Sequence, residues 1–187
     1  IAGALLLLVV VGVGGLIAYV KLALPDVGPA PDLKIEATPE LIARGAYLAN
    51  HVSLCMDCHS TRDWHRYSGP LVAGTLGKGG EVFDRAFGFP GTFISRNITP
   101  AGVGSFTDGE LYRAITTGVA HDGSPLFSIM PYASYGQMDP EDIKAIIAYV
   151  RTLAPITNEI PPHDPDFPVN ILINTMPQEA APQRRPD

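Results

Sequence analysis

The chain has 187 residues, among them 19 glycines and 18 prolines, which suits one small domain of about 100–150 residues carrying appendages. A net charge of −6 with 17% charged residues excludes a dedicated nucleic-acid binder, which needs a basic face to neutralise phosphates, and suits a basic protein partner instead.

Ile1 to Val20 carries no charge. A helix rises 1.5 Å per residue, so a stretch of about 20 apolar residues crosses a hydrocarbon core of about 30 Å. Residues 1–24 are therefore expected to form a transmembrane anchor. A secretory signal is the alternative, but its apolar region runs to only about 7–15 residues. The first residue is not Met, so a short piece with orienting charges is expected before it. Residues 25–37, rich in Pro and Asp, read as an extended linker.

The folded domain is expected over 38–154. Thr38 can cap a helix with Pro39 at its first position, and Leu41, Gly45, Leu48, Ala49 and Val52 recur at helical spacing. Gly45 on that face predicts close approach by another helix. The helix leads into Cys55-Met56-Asp57-Cys58-His59, which carries the attachment signature of c-type haem. These are the only cysteines. Each thiol can add across one porphyrin vinyl group, and His59 then lies under the iron as its proximal ligand. A zinc site would need a second pair of Cys or His ligands, and a redox dithiol would follow a strand of a βαβ unit. The sequence offers neither pattern.

From Ser60 to Gly104 the pattern is rich in Gly and Pro and reads as loops that wrap a flat cofactor. Thr107-x-x-Glu110 is a capping box for a short helix ended by Gly118. Asp139-Pro140-Glu141-Asp142 opens the last helix, with Ile143, Ile146, Ile147, Val150 and Leu153 on one face and Pro155 as its stop. Residues 155–187 are proline-punctuated and without period, and are expected to form an extended tail. Such a tail orders only against a surface, either other subunits or its own domain.

An electron-carrying haem wants a second strong axial ligand, and methionine raises the potential by favouring ferrous iron. Met56 lies within the attachment motif on the His59 side. Met138 precedes the Asp139 cap, where it can staple onto Ile143, and Met176 lies in the tail. Met130, in Phe127-Ser128-Ile129-Met130-Pro131-Tyr132 between two helices, is the candidate distal ligand. A gap-filling core methionine is the alternative. His121, beside the Asp122-Gly123 turn signal, is the runner-up ligand, while His51, His65 and His163 have no supporting context.

The order of Cys55-x-x-Cys58-His59, the Pro70-Leu71 pair, Met130-Pro131 and Ala148-Tyr149-Val150-Arg151 resembles a class I cytochrome c over about Thr38 to Leu153. The resemblance implies an all-α haem domain whose first and last helices cross near Gly45 and Tyr149. It places Pro70 and Tyr149 among the cofactor-binding residues, the Pro70 carbonyl accepting the second ring N–H of His59. A narrower likeness lies in Asn97-Ile98-Thr99-Pro100, Gly102-Val103-Gly104, Phe106-Thr107-Asp108 and Met130-Pro131-Tyr132. It is similar to the domains in cytochrome c subunits of bacterial membrane-bound alcohol and sugar-acid dehydrogenases, which typically carry three such domains against one here. Arg96 and Asn97 are candidates to bond a haem propionate, or to stabilise their own loop.

The expected protein is thus a membrane-anchored electron carrier with one covalent haem c and metal ligands His59 and Met130. It is expected in a bacterial inner membrane, with its haem domain on the periplasmic side and other subunits of a respiratory or similar complex as donor and acceptor. No paired carboxylates or nucleophile triad stands out, and Gly77 to Gly80 lacks a following Lys-Ser/Thr, so it is not expected to be an enzyme. The alternatives are a peroxidase-like haem enzyme or sensor with an open distal site, and a freely tethered shuttle.

Overall fold

A computed structural model describes residues 1–184. Residues 185–187 of the predicted tail lie outside the described residues. Helix α1 spans Ala2–Ala23, and its 22 residues at 1.5 Å each give about 33 Å, enough to cross a bilayer. All but Val20 of its residues are exposed, as suits a helix that is apolar all round. The linker that follows is pinned at its far end. The Ile35 amide donates to Asp108 Oδ2 at 2.9 Å, and a Cβ on Gly109 would come within 1.8 Å of the Pro31 carbonyl oxygen.

Helix α2, Pro39–Tyr47, starts where the caps predict, with the Leu41 amide donating to the Thr38 hydroxyl. It continues through a π-helical turn, Leu48–Val52, to α3, Cys55–Cys58. A short strand β1, Val82–Phe83, pairs antiparallel with β2, Gly91–Ile94, in register Val82 to Ile94. Helix α4 is Pro100–Val103 and α5 is Asp108–Thr117, the latter with both halves of its capping box formed and Gly118 left-handed at its end. A loop leads to α6, Tyr132–Tyr135, and then α7, Pro140–Val150, opens with the Glu141 amide donating to Asp139.

The domain core is the crossing of α2 and α7 with α5 against them. Leu48, Ala49, Ile143, Ile146 and Ile147 are buried there. Gly45 lies at the crossing, and its ideal Cβ would stand 1.8 Å from the Ala145 carbonyl oxygen and 2.9 Å from Tyr149 Cβ. Beside it Arg44 grips the buried Asp142 through two parallel bonds of 3.0 Å. Removing Gly45 is therefore costly. Alanine gains about 1 kcal/mol of helix propensity over glycine, but backbone cannot yield as a flexible side chain can, and overpacking costs about 1–3 kcal/mol or more. Gly45→Ala is expected to lower the urea midpoint of the intact protein, and an unchanged midpoint would mean the two helices can separate at no cost.

One expectation is corrected here. The fold is helical but not all-α, because β1 and β2 are joined by a third strand. The tail supplies it: β3, Asp164–Pro165, pairs antiparallel with β2. Residues 156–184 run as a strap over the chain's own domain, one of the two surfaces the sequence leaves open for the tail. Asn97 Nδ2 donates to the Ile156 carbonyl at 2.7 Å, and Asn158 Nδ2 to that of Lys78 at 2.9 Å. Helix α8, Val169–Leu172, and the turn after it touch α1. Farther on, the amides of Gln178, Ala181 and Gln183 donate to the carbonyls of Thr117, Gly136 and Gln137. The order of the strap comes from these bonds to the domain rather than from any period of its own.

Candidate functional site

Helix α3 is a single turn entered through Leu54, whose φ of 52° is left-handed. One turn places Cys55 and Cys58 on one face, and His59 closes it, its amide donating to the Cys55 carbonyl at 2.9 Å. All three residues line one cleft. It is lined by α3, β2, α5, α7 and the loop before α6. The cleft holds about 210 Å³ of free space and is open at its mouth. Its walls are almost wholly apolar: Phe93, stacked on Phe127 at 3.9 Å between ring centroids, with Leu111, Ile146, Ile147 and Val150.

His59 Nδ1 lies 2.6 Å from the Arg96 carbonyl oxygen, which can only accept, so Nδ1 carries the proton and Nε2 keeps its lone pair. Burial pushes the imidazole below its ordinary range. It is therefore neutral at physiological pH and able to ligate. Burial pushes the Cys55 thiol up to about 12 and raises that of Cys58, so both are protonated thiols rather than reactive thiolates. Among the described residues no cluster of three or more His, Cys, Asp or Glu side chains could hold a metal ion, so the thiols have no partners for a zinc site. An apolar cleft lined by two thiols and a neutral imidazole fits a covalently held tetrapyrrole.

Met130 lines the same cleft as His59. It lies in a bonded turn, its amide donating to the Phe127 carbonyl and its carbonyl accepting from Tyr132 at 2.8 Å. Met56 is buried in the core, Met138 packs against the core with the Ser53 hydroxyl 3.9 Å from its sulfur, and Met176 lies on the strap. None of these three lines the cleft. His121 reaches it, stacked on Phe106 at 3.8 Å.

Pro70 is placed differently from the family expectation, whereas Tyr149 stands at the helix crossing as the resemblance implies but does not line the cleft. The Pro70 carbonyl accepts from the Asp63 amide at 2.9 Å and so closes a surface loop, leaving the bond to His59 with the Arg96 carbonyl. At the α2–α7 crossing the Tyr149 hydroxyl accepts from Asn50 Nδ2 at 3.1 Å. Asn97 is occupied by Ile156 and Thr99, so its side chain serves the loop. Two residues were beyond sequence reasoning in these positions. A backbone acceptor such as the Arg96 carbonyl leaves no trace in residue type, and His163, which lines the cleft from the strap, sits in a stretch without period.

No protein-family model matches the chain. It is 32% identical over 140 residues to the gluconate 2-dehydrogenase cytochrome c subunit of Pantoea cypripedii, covering 73% of this chain and 29% of that protein. It is 34% identical over 117 residues to the cytochrome c subunit of the quinone alcohol dehydrogenase of Gluconacetobacter polyoxogenes, covering 61% of this chain and 22% of that one. A diheme cytochrome c-type protein of Cereibacter sphaeroides is 34% identical over 119 residues, 62% of this chain and 38% of its own length. The chain thus spans well under half the length of these curated relatives.

Proposed function

From the premise that this chain is a cytochrome c similar to the cytochrome subunits of gluconate, alcohol and fructose dehydrogenases, we infer that it is a membrane-anchored monohaem carrier. It passes single electrons between other subunits of a dehydrogenase or respiratory complex. The observation that carries this reading is the convergence of Cys55, Cys58, His59 and Met130 on one apolar cleft. When bound, haem c supplies the one-electron couple. The chain's own residues do the rest. The thiols of Cys55 and Cys58 would hold the haem covalently, each by adding its S–H across one vinyl group, and His59 Nε2 and Met130 Sδ would ligate its iron. Phe93, Phe127 and the α7 isoleucines keep the site dry, and a low-dielectric surround lets the protein set the potential.

Helix α1 holds the domain at the cytoplasmic membrane, with the cleft on the periplasmic side. Purification of the full chain in detergent tests the proposal. The expected result is one haem c per chain by the alkaline pyridine spectrum, a low-spin spectrum with the weak sulfur-to-iron band when oxidised, and co-purification of an oxidoreductase subunit. A high-spin spectrum that binds peroxide or carbon monoxide would instead support the open-site enzyme or sensor. A low-spin protein that purifies alone would support the free shuttle.

A further inference from the structure

The apolar cleft continues into a second hollow, and Arg96, His121 and His163 line both. This is where polar groups gather. Most of those around the second hollow are already engaged: Asn97 with Ile156 and Thr99, Asn158 with the Lys78 and Gly79 carbonyls, and Ser124 with Asp122. Three donors are left: His121, whose ring is stacked on Phe106, and two that the strap holds. His163 Nδ1 accepts from the Ile94 amide at 3.1 Å, so the proton resides on Nε2, and no acceptor among the described residues takes it. Arg96 is anchored through Nη1 alone, to the carbonyls of Ile160 and Pro161 at 3.1 and 3.2 Å, which leaves the other edge of its guanidinium fork unengaged. Both residues are held by the strap, Arg96 through its carbonyls and His163 as one of its residues.

A guanidinium and an imidazole N–H at the rim of an otherwise apolar cleft form a carboxylate seat, since charge-assisted bonds of this kind are the strong ones. A tetrapyrrole fastened through its vinyl edge at Cys55 and Cys58 carries its two carboxylates on the opposite edge. We propose that Arg96 and His163 together seat a haem propionate, and that the strap from 156 to 165 is therefore part of the cofactor site. This rests on the cytochrome reading above. A propionate left without donors places an uncompensated negative charge near the iron and favours the ferric state. The donors therefore raise the reduction potential.

The test is a redox titration of the full chain in detergent at one neutral pH, with resonance Raman spectra of the propionate bending band. His163→Leu and Arg96→Gln are each expected to lower the midpoint and shift that band while leaving the covalent, low-spin spectrum intact. Loss of a charge makes the Arg96→Gln shift the larger. His163→Asn, which can still donate an N–H, is expected to stay near the wild type, as a merely structural change would not. A wild-type midpoint and band in His163→Leu, or equal falls in His163→Asn and His163→Leu, would overturn the proposal. Should His163→Leu fail to mature, an unshifted band in Arg96→Gln overturns it. Absence of covalent haem from the unaltered protein would overturn the cytochrome reading instead.

Discussion

Met130→Ala is expected to keep its haem covalently attached, lose the sulfur-to-iron band, become high-spin and bind carbon monoxide or cyanide. In the proposed assignment attachment uses the thiols of α3 and distal ligation uses Met130 of the loop before α6, so one can be lost without the other. The midpoint potential should fall by more than about 59 mV, the tenfold step for one electron, within a range of roughly 0.8 V that axial ligands command. The cost in folding should be smaller than for a core methionine, because Met130 is only half-buried. Met138→Ala is the control: it lies against the core and should lose stability at constant spectrum. A low-spin Met130→Ala protein beside a high-spin Met138→Ala protein would reverse the assignment. A change of spin state only in His121→Ala would pass the role to the imidazole stacked on Phe106.

Replacing Cys55 and Cys58 together with alanine is expected to abolish covalent haem and leave the domain largely unfolded. The cleft is walled in part by Ile146, Ile147 and Val150, residues that belong to the same packing as the α2–α7 crossing. Burying one such side chain is worth about 1.5–3 kcal/mol, and an unfilled cleft takes away part of that from several at once. The loss approaches the roughly 5–15 kcal/mol that a domain has in total. Far-UV circular dichroism and limited proteolysis would read it. Deleting residues 1–24 is the contrast, since only Val20 of α1 is buried. That protein should still mature with haem in an export-competent host. A compact, protease-resistant double-cysteine variant would show that the walls close on themselves without the cofactor.

The parts of this fold that are local in sequence were legible in it. Thr38, Thr107, Gly118 and Asp139 cap or end their helices where residue type demands, because capping is settled within three or four positions. Gly45 announced a crossing for the same reason: a missing side chain on an apolar face has one common use. The attachment motif needs no long-range partner to be recognised. The rest depends on contacts made at a distance. Strands of two to four residues, such as β1, β2 and β3, have too few positions to show alternation. The strap lacks periodicity because backbone bonds and a few scattered side chains, such as Asn158 and His163, bind it to the domain rather than one apolar face. A bond of the Pro70 carbonyl to His59 was expected by likeness to a family. In this chain the Asp63 amide takes that carbonyl, and Trp64 packs under Gly69 to fix the loop away from the histidine.

The pinning of the linker to the head of α5 has a mechanical consequence. Pro31 lies against Gly109 and the Ile35 amide is bonded to Asp108, so the unpinned leash between the end of α1 and the domain is residues 24–30. Fully extended, those seven residues reach about 25 Å. Contacts of α8 with α1 shorten even that. With α1 in a bilayer, the domain is a mooring post rather than a buoy. Under the proposed function it could not swing out to a distant donor, and donor and acceptor would have to present themselves at a nearly constant height above the lipid. Lengthening residues 24–30 with a flexible Gly/Ser insert would change how far the domain roams and leave the cleft untouched.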